Sequence, residues 1–75
     1  MSIDEFIEAF ADEFEDTPTE EFNPDTVFKS LDEWNSLTAL SITFMVKDAF
    51  GKKITGADLR ACKTIAELYN LIQNK

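Results

Sequence analysis

The side chain best suited to chemistry in this chain is the hydroxyl of Ser36. It stands in the tetrapeptide Trp34-Asn35-Ser36-Leu37, where a long polar segment gives way to an apolar, helix-like run. A hydroxyl at such a junction can be both exposed and fixed in space, which suits a covalent attachment point. A phosphodiester there would lie near the positive end of the helix dipole and unpaired N–H groups, which favour an anion. Serine at a helix start is also a common N-cap, so both interpretations stay open.

Other catalytic chemistry has few residues available. The chain contains no histidine, so it lacks the commonest general base and a leading metal ligand. Lys63 would lower the thiol pKa of the single cysteine, Cys62, if both were exposed, but free cysteine is more commonly a small buried hydrophobe. We therefore expect no catalytic residue of the nucleophilic or zinc-dependent kind and no metal site.

The lone cysteine also bears on location. Cys62 cannot form an internal disulfide, and the chain shows no signal-like or membrane-length apolar run. Together these features indicate a reducing cytoplasm and a protein that is not embedded in a membrane.

Charge is unevenly distributed along the chain. The net charge of −8 argues against binding to the phosphate backbone of nucleic acid. Residues 1–33 hold twelve acidic residues against one base, Lys29, and carry −11, whereas residues 34–75 hold six basic and three acidic residues and carry +3. The half that contains Ser36 is therefore mildly basic. The acidic half either steers partners or serves solubility.

The apolar spacing predicts a single all-α domain over residues 1–75. The chain is 44% hydrophobic and has only two glycines and two prolines, which favours helices over a small sheet. We expect a small four-helix bundle, with three main helices, one short helix and a long loop between the first two. The predicted helices cover residues 2–14, 36–50, 56–61 and 64–73.

The long loop and the second helix carry apolar side chains with different expected roles. Those of the loop are expected to anchor it to the core, and they are Phe22, Val27, Phe28 and Leu31. The second helix has two apolar faces, so it is either sandwiched or offers one face to partners. The first face comprises Ala39, Ile42, Val46, Ala49 and Phe50, and the second comprises Leu37, Leu40 and Phe44.

The order of these elements resembles the acyl carrier proteins, and the resemblance covers most of the chain. Asn35-Ser36-Leu37 stands where that family usually has Asp-Ser-Leu, and the start of the last helix at Lys63-Thr64-Ile65 is also similar, as is the pairing of Phe50 with Ile54. The resemblance implies that Ser36 carries a 4'-phosphopantetheine arm. A phosphopantetheinyl transferase, with magnesium, would attach the arm from coenzyme A. The thiol of the arm would then carry acyl groups as thioesters.

The resemblance also implies surfaces and partners around the arm. Leu37, Leu40 and Phe44 would form a partner-docking stripe. Other partners would be an acyl-loading ligase or transferase, and a ketosynthase or another acyl-transfer enzyme, acting on a cytoplasmic monomer in fatty-acid biosynthesis or related lipid metabolism. A cleft beside the second and third helices would shelter the acyl chain, and its candidate residues are Phe44, Ile54, Leu59, Cys62 and Ile65.

Two departures from the family pattern refine this expectation. Asn35 lacks the charge of the usual aspartate, so recognition by the transferase is expected to be weaker or to involve a different transferase. The second helix, often acidic in the family, here has the non-acidic residues Thr38, Ser41 and Lys47 and, as its one acid, Asp48. We expect apolar docking with weak electrostatic steering by this helix. A carrier dedicated to one polyketide-like, lipid-modifying or surface-glycan pathway fits better than the main carrier of fatty-acid synthesis.

Two alternatives stay open. An aminoacyl or peptidyl carrier shares the serine and the helix order. A helical interaction module without a cofactor would use the stripe for docking and Ser36 only as a cap. A calcium-binding loop at residues 12–23 is excluded, because Thr17 stands where that loop needs glycine and no glutamate closes it.

Overall fold

A computed structural model of the protein describes residues 2–75. These residues form four α-helices and no β-strand, which confirms the predicted all-α bundle with three longer helices and one short one. None of the helices in this range has the length and apolar character to cross a lipid bilayer. The helices are α1 (Ile3–Ala11), α2 (Ser36–Phe50), α3 (Gly56–Ala61) and α4 (Ile65–Gln73), and two 3-10 turns (Thr19–Glu21 and Phe28–Ser30) lie in the loop between α1 and α2.

Capping residues set most of the helix ends. Ser2 and Glu5 form a capping box at α1, in which the backbone N–H of Glu5 donates to Ser2 Oγ at 3.2 Å and that of Ser2 to Glu5 Oε1 at 3.0 Å. Thr64 caps α4 by accepting from the backbone N–H of Glu67, but no capping box forms, because the Glu67 carboxylate accepts from the backbone N–H of Lys63 instead. Gly51 ends α2 with a left-handed φ of 68°. The bounds of α2 and α3 agree with the sequence prediction.

The first helix is shorter than predicted. It ends at Ala11, and the backbone N–H of Phe14 donates to the carbonyl of Ala11 at 3.0 Å in a tight turn. That turn keeps the ring of Phe14 buried, stacked at 5.5 Å on the ring of Phe10. The prediction of a helix to residue 14 was wrong because the turn reproduces the apolar spacing that a helix would give.

A chain of aromatic rings connects α1 to the segment just before α2. The ring of Phe28 lies 5.7 Å from that of Phe10 and 5.0 Å from that of Trp34, edge to face in both cases. Phe28 is fully buried, and Trp34 packs against the core. The chain at position 34 is therefore held in place, two residues before Ser36. The largest fully buried side chains are Phe6, Phe10, Phe28, Ile42, Val46, Ile65, Leu68 and Ile72.

The loop is also bound to α4 through its backbone. The N–H groups of Ile65 and Ala66 donate to the carbonyls of Thr26 and Pro24 at 3.1 and 3.0 Å. Val27 has a side chain that is 40% exposed, so the prediction that it is an apolar anchor was wrong; its backbone forms an isolated bridge to α4 instead. The other predicted anchors are buried or packed against the core, and they are Phe22, Phe28 and Leu31.

Candidate functional site

The side chain of Ser36 is exposed at the first position of α2. Within residues 2–75 its hydroxyl forms no hydrogen bond. The hydroxyl therefore has no structural task that a covalent modification would disturb. Its position is nevertheless defined, because both the helix that follows and the aromatic chain that precedes it are fixed.

The cap of α2 is Asn35. Its side-chain oxygen Oδ1 accepts from the backbone N–H groups of Leu37 at 2.8 Å and Thr38 at 3.1 Å, and its own N–H donates to Thr38 Oγ1 at 2.8 Å. The interpretation of Ser36 as the cap was wrong, because asparagine caps as well as serine does and stands one residue earlier. Asn35 followed three residues later by Thr38 is the sequence signal that would have shown this.

Glu33 joins two distant parts of the loop close to the site. Its carboxylate accepts from the hydroxyl of Thr17 at 2.6 Å and from the backbone N–H groups of Asp16 at 2.8 Å and Glu15 at 3.1 Å. The Thr17 hydroxyl is the largest cause that holds the pKa of Glu33 below its usual value of 4.5, and the backbone N–H groups add to it. The carbonyl of Glu33 in turn accepts from Thr38 Oγ1 at 3.0 Å. We call the contacts of the Glu33 carboxylate the loop clasp.

An open groove of ≈ 460 Å³ lies beside Ser36, between α2, α3 and the loop. Most of its exposed surface is apolar, and it contains no acidic side chain. Such a groove provides an apolar surface on which a flexible group attached to Ser36 could pack. Its lining residues are Lys29, Trp34, Asn35, Ser36, Ala39, Leu40, Thr43, Gly56, Leu59 and Arg60.

Two cations stand on the groove side opposite α2. Lys29 Nζ donates to the carbonyl of Arg60 at 2.9 Å, which fixes the ammonium at the end of α3. The guanidinium of Arg60 folds back towards Gly56, where its Nη1 lies 3.4 Å from the position that a Cβ would take. An exposed hydroxyl, a mostly apolar groove and two cations fit a phosphate-linked arm. Neither cation was singled out from the sequence, because Lys29 and Arg60 are 31 positions apart.

The five predicted acyl-cleft residues occupy different environments. Leu59 lies on the wall of the groove and is 2% exposed, whereas Phe44 is 61% exposed on the outer side of α2. The remaining three lie in the core beside Leu59, and they are Ile54, Cys62 and Ile65. Their role in binding an acyl chain stays a prediction.

Cys62 has the environment of a structural cysteine. Its thiol is buried at 4% exposure. Burial is the main cause that raises the thiol pKa, the nearby charges of Glu67 and Asp58 raise it further, and Lys29 opposes them. A thiol with a raised pKa stays protonated at neutral pH and is a poor nucleophile, which weighs against direct acylation of Cys62.

The predicted docking stripe is exposed. Leu37 is 74%, Leu40 51% and Phe44 61% exposed, and Leu40 also lines the groove. We call these three residues the ridge. Apolar side chains left in solvent next to a candidate site are typical of protein-interaction surfaces.

Comparison with known proteins gives one match. A family model described as a phosphopantetheine attachment site matches residues 4–72, from the first turn of α1 to the last turn of α4. No curated protein and no solved structure matches the chain. Proteins of that family bind 4'-phosphopantetheine covalently, and such domains are generally carriers that other enzymes modify and load.

Proposed function

This chain belongs to the phosphopantetheine attachment site family, and we propose that it is an acyl carrier protein. Its 4'-phosphopantetheine arm would be attached to Ser36. The observation that carries the proposal is the Ser36 hydroxyl itself. It is exposed, makes no hydrogen bond within residues 2–75, and opens onto a groove with two cations. The 4'-phosphopantetheine arm would supply a terminal thiol that holds the acyl group as a thioester.

In the attachment step, the bond of this chain that breaks is the O–H bond of Ser36. The Ser36 Oγ–phosphorus bond forms at the phosphate that bears pantetheine in coenzyme A, and the pyrophosphate P–O bond breaks. Adenosine 3',5'-bisphosphate leaves, and the hydroxyl proton passes to a base of the transferase or to solvent. The groove beside Ser36 is lined by no carboxylate and the chain has no histidine, so no general base lines the groove. The family resemblance implies a phosphopantetheinyl transferase with magnesium for this step.

The neighbouring residues position and stabilise the modified serine. Asn35 holds the first turn of α2 in place, so the direction of the Ser36 side chain is set by the helix. A phosphodiester there lies at the positive end of the α2 dipole, a favourable place for an anion. Lys29 and Arg60 offset the charge from the opposite side of the groove.

The exposed ridge supports a role in delivering cargo to enzymes. An acyl-loading ligase or transferase and a ketosynthase or other acyl-transfer enzyme would dock on Leu37, Leu40 and Phe44. We place this activity in the cytoplasm and assign it to a monomer formed by one domain, residues 1–75. The groove beside Leu59 would shelter the cargo.

The choice between a housekeeping and a dedicated pathway rests on Asn35 and on the small number of acids on α2. With Asn35 in place of aspartate, and Asp48 as the one acid beside Thr38, Ser41 and Lys47, α2 differs from the surface that the main fatty-acid carrier presents. A dedicated polyketide-like, lipid-modifying or surface-glycan pathway is therefore the better assignment. Loading assays with the fatty-acid enzymes of the host test it, and loading at full efficiency would contradict it.

Intact-protein mass spectrometry tests the attachment site. The protein is incubated with coenzyme A and a broad-specificity transferase, and we expect one phosphopantetheine adduct that is absent in Ser36→Ala. Ser41→Ala is the matched control, because Ser41 lies on the same helix and also forms no hydrogen bond there. No adduct on the unaltered chain with any transferase would leave the cofactor-free interaction module as the better assignment. Adenylating enzymes tested against acyl ligases as loaders then distinguish amino-acid from acyl cargo.

A further inference from the structure

The ridge is bordered by positive charge on its groove side. At about 100° per residue, Ser36, Leu40 and Lys47 fall on one stripe of α2, so Lys47 continues the line of the groove wall. Lys47 is exposed, as are Lys29 and Arg60 across the groove. We call these three residues the cationic border. The ridge and its border form one continuous outward surface around the attachment serine.

The cations of the border are not neutralised by ion pairs, because the carboxylates nearby have other partners. Within residues 2–75, none of the three border cations pairs with a carboxylate. The carboxylate of Glu33 is held in the loop clasp. That of Asp58 pairs with Lys75 at 3.1 Å, and that of Glu67 accepts from the backbone N–H of Lys63 at 2.7 Å. These three carboxylates therefore have partners other than the border cations.

Asp48 is the one acid on the outward part of α2, beside Phe44 and away from the groove. On α2 itself Lys47 and Asp48 balance, but the groove beside it is lined by Lys29 and Arg60 and by no acid, so this side of the ridge is positive in a chain of net charge −8. Charges are screened over about 8 Å at physiological salt, so the local sign decides contacts made at this surface. A partner with a positive surface would meet repulsion here and attraction at the acidic first half of the chain.

We infer that the enzymes acting on the arm dock on the ridge with a surface that is apolar at its centre and carries carboxylates facing Lys29, Lys47 and Arg60. The inference rests on the proposed function, since it names the partners of the Ser36 site. The apolar centre covers the ridge, and the carboxylates fix the orientation. The acidic residues of the first 33 positions repel the same partner from that part of the carrier, which adds to the selectivity of the positive surface.

A pair of synthetic peptides tests the sign of the partner surface. Both form amphipathic helices with leucines at the same positions, and their flanking residues are glutamates in one and lysines in the other. Each is titrated into the ¹⁵N-labelled apo protein, and backbone amide shifts are followed by NMR at low and high salt. We expect the glutamate peptide to shift amides of α2 and the groove, with affinity that falls as salt rises, and the lysine peptide to shift amides of residues 1–33.

Charge-reversal variants provide the matched control. Lys47→Glu combined with Arg60→Glu is expected to weaken the glutamate peptide about tenfold or more. Lys53→Glu changes the same kind of charge at an exposed position outside the groove, and it should leave that affinity nearly unchanged. Circular dichroism establishes that the variants are folded.

Three results would overturn the inference: tighter binding of the lysine peptide at the ridge, no shift of α2 amides with the glutamate peptide, or equal weakening by Lys53→Glu. The titration needs no arm on Ser36, so its failure is separate from failure of the proposed function. An adduct on Ser36 without the peptide preference contradicts only the partner surface. A peptide preference without any adduct contradicts the carrier function.

Discussion

Apolar side chains are buried in the loop between α1 and α2 but exposed on the outward face of α2. The loop is rich in acids, yet it buries the rings of Phe22 and Phe28 at 6% and 0% exposure and holds Glu33 in the loop clasp. The outward face of α2 lies in an ordered helix, yet it leaves Leu37 and Phe44 mostly in solvent. The irregular segment is therefore packed into the core, and the regular helix leaves apolar side chains in solvent on its outward face.

The difference follows from what each segment needs in order to stay folded. α2 is already fixed by its opposite face, where Ile42 and Val46 are fully buried. Its outward face is therefore not needed for stability and is available for binding. The backbone hydrogen bonds within the loop close only short turns, so its buried rings and the Glu33 carboxylate are needed to hold the segment before Ser36 in place.

The largest expected effect is that of Phe28→Ala, which tests the structural part of the comparison. Removing a fully buried ring that contacts both Phe10 and Trp34 is expected to lower the free energy of unfolding by about 3–5 kcal/mol. Urea unfolding followed by circular dichroism measures this loss, and Trp34 fluorescence reports whether the segment before Ser36 loosens. A loss smaller than ~1 kcal/mol would mean that the loop is not an integral part of the core.

A smaller effect separates the two neighbours at the start of α2. Asn35→Ala removes the cap and is expected to lower the free energy of unfolding by about 1 kcal/mol. Ser36→Ala should leave it nearly unchanged, because the hydroxyl makes no hydrogen bond within residues 2–75. Asn35→Asp retains an acceptor for the same backbone N–H groups and serves as the control. Thermal unfolding of the three variants measures the difference, and equal losses in Asn35→Ala and Ser36→Ala would contradict the division of roles.

These two residues also show the reach of sequence reasoning. Helical spacing and capping signals predicted α2 and α3 to the residue, because those signals are local. The choice between Asn35 and Ser36 as cap failed, since both residue types cap helices well. Phe14 misled in a similar way, because its spacing matched a helix that a tight turn replaced.

The cations of the groove and the loop clasp were beyond prediction for a different reason. Lys29 reaches Arg60 from a segment 31 positions earlier, and no local pattern links them. The loop clasp likewise joins Glu33 to residues 16–18 positions away. Tertiary contacts of this kind depend on how the whole loop folds. The proposal of Ser36 as the attachment serine, by contrast, needed only a tetrapeptide and its position between predicted helices, and it stays a prediction.

The loop clasp predicts a change confined to acidic pH. The pKa of Glu33 is lower in the folded chain than its usual 4.5, so its contribution to stability is present above that value and is lost as the pH falls through the lower folded value. Glu33→Gln should therefore destabilise the protein at pH 7 and flatten the dependence of stability on pH below 4.5. Urea unfolding from pH 7 downwards measures both. Glu20→Gln is the control, an exposed loop acid outside the clasp, and an identical pH profile in the two variants would contradict the role of the clasp.

The smallest effect on stability is expected at the ridge, and it tests whether the outward face of α2 is free of a structural role. Phe44→Ala changes an exposed position, so the free energy of unfolding should change by no more than ~0.5 kcal/mol. Ile42→Ala, two residues away on the buried face, should lower it by about 2–5 kcal/mol. Phe44→Ala should nevertheless weaken binding of the glutamate peptide, because it removes apolar area from the docking surface. A large loss of stability in Phe44→Ala, or unchanged peptide binding, would show that the ridge is held within the fold or is unused by partners, and the contrast between the loop and α2 would then fail.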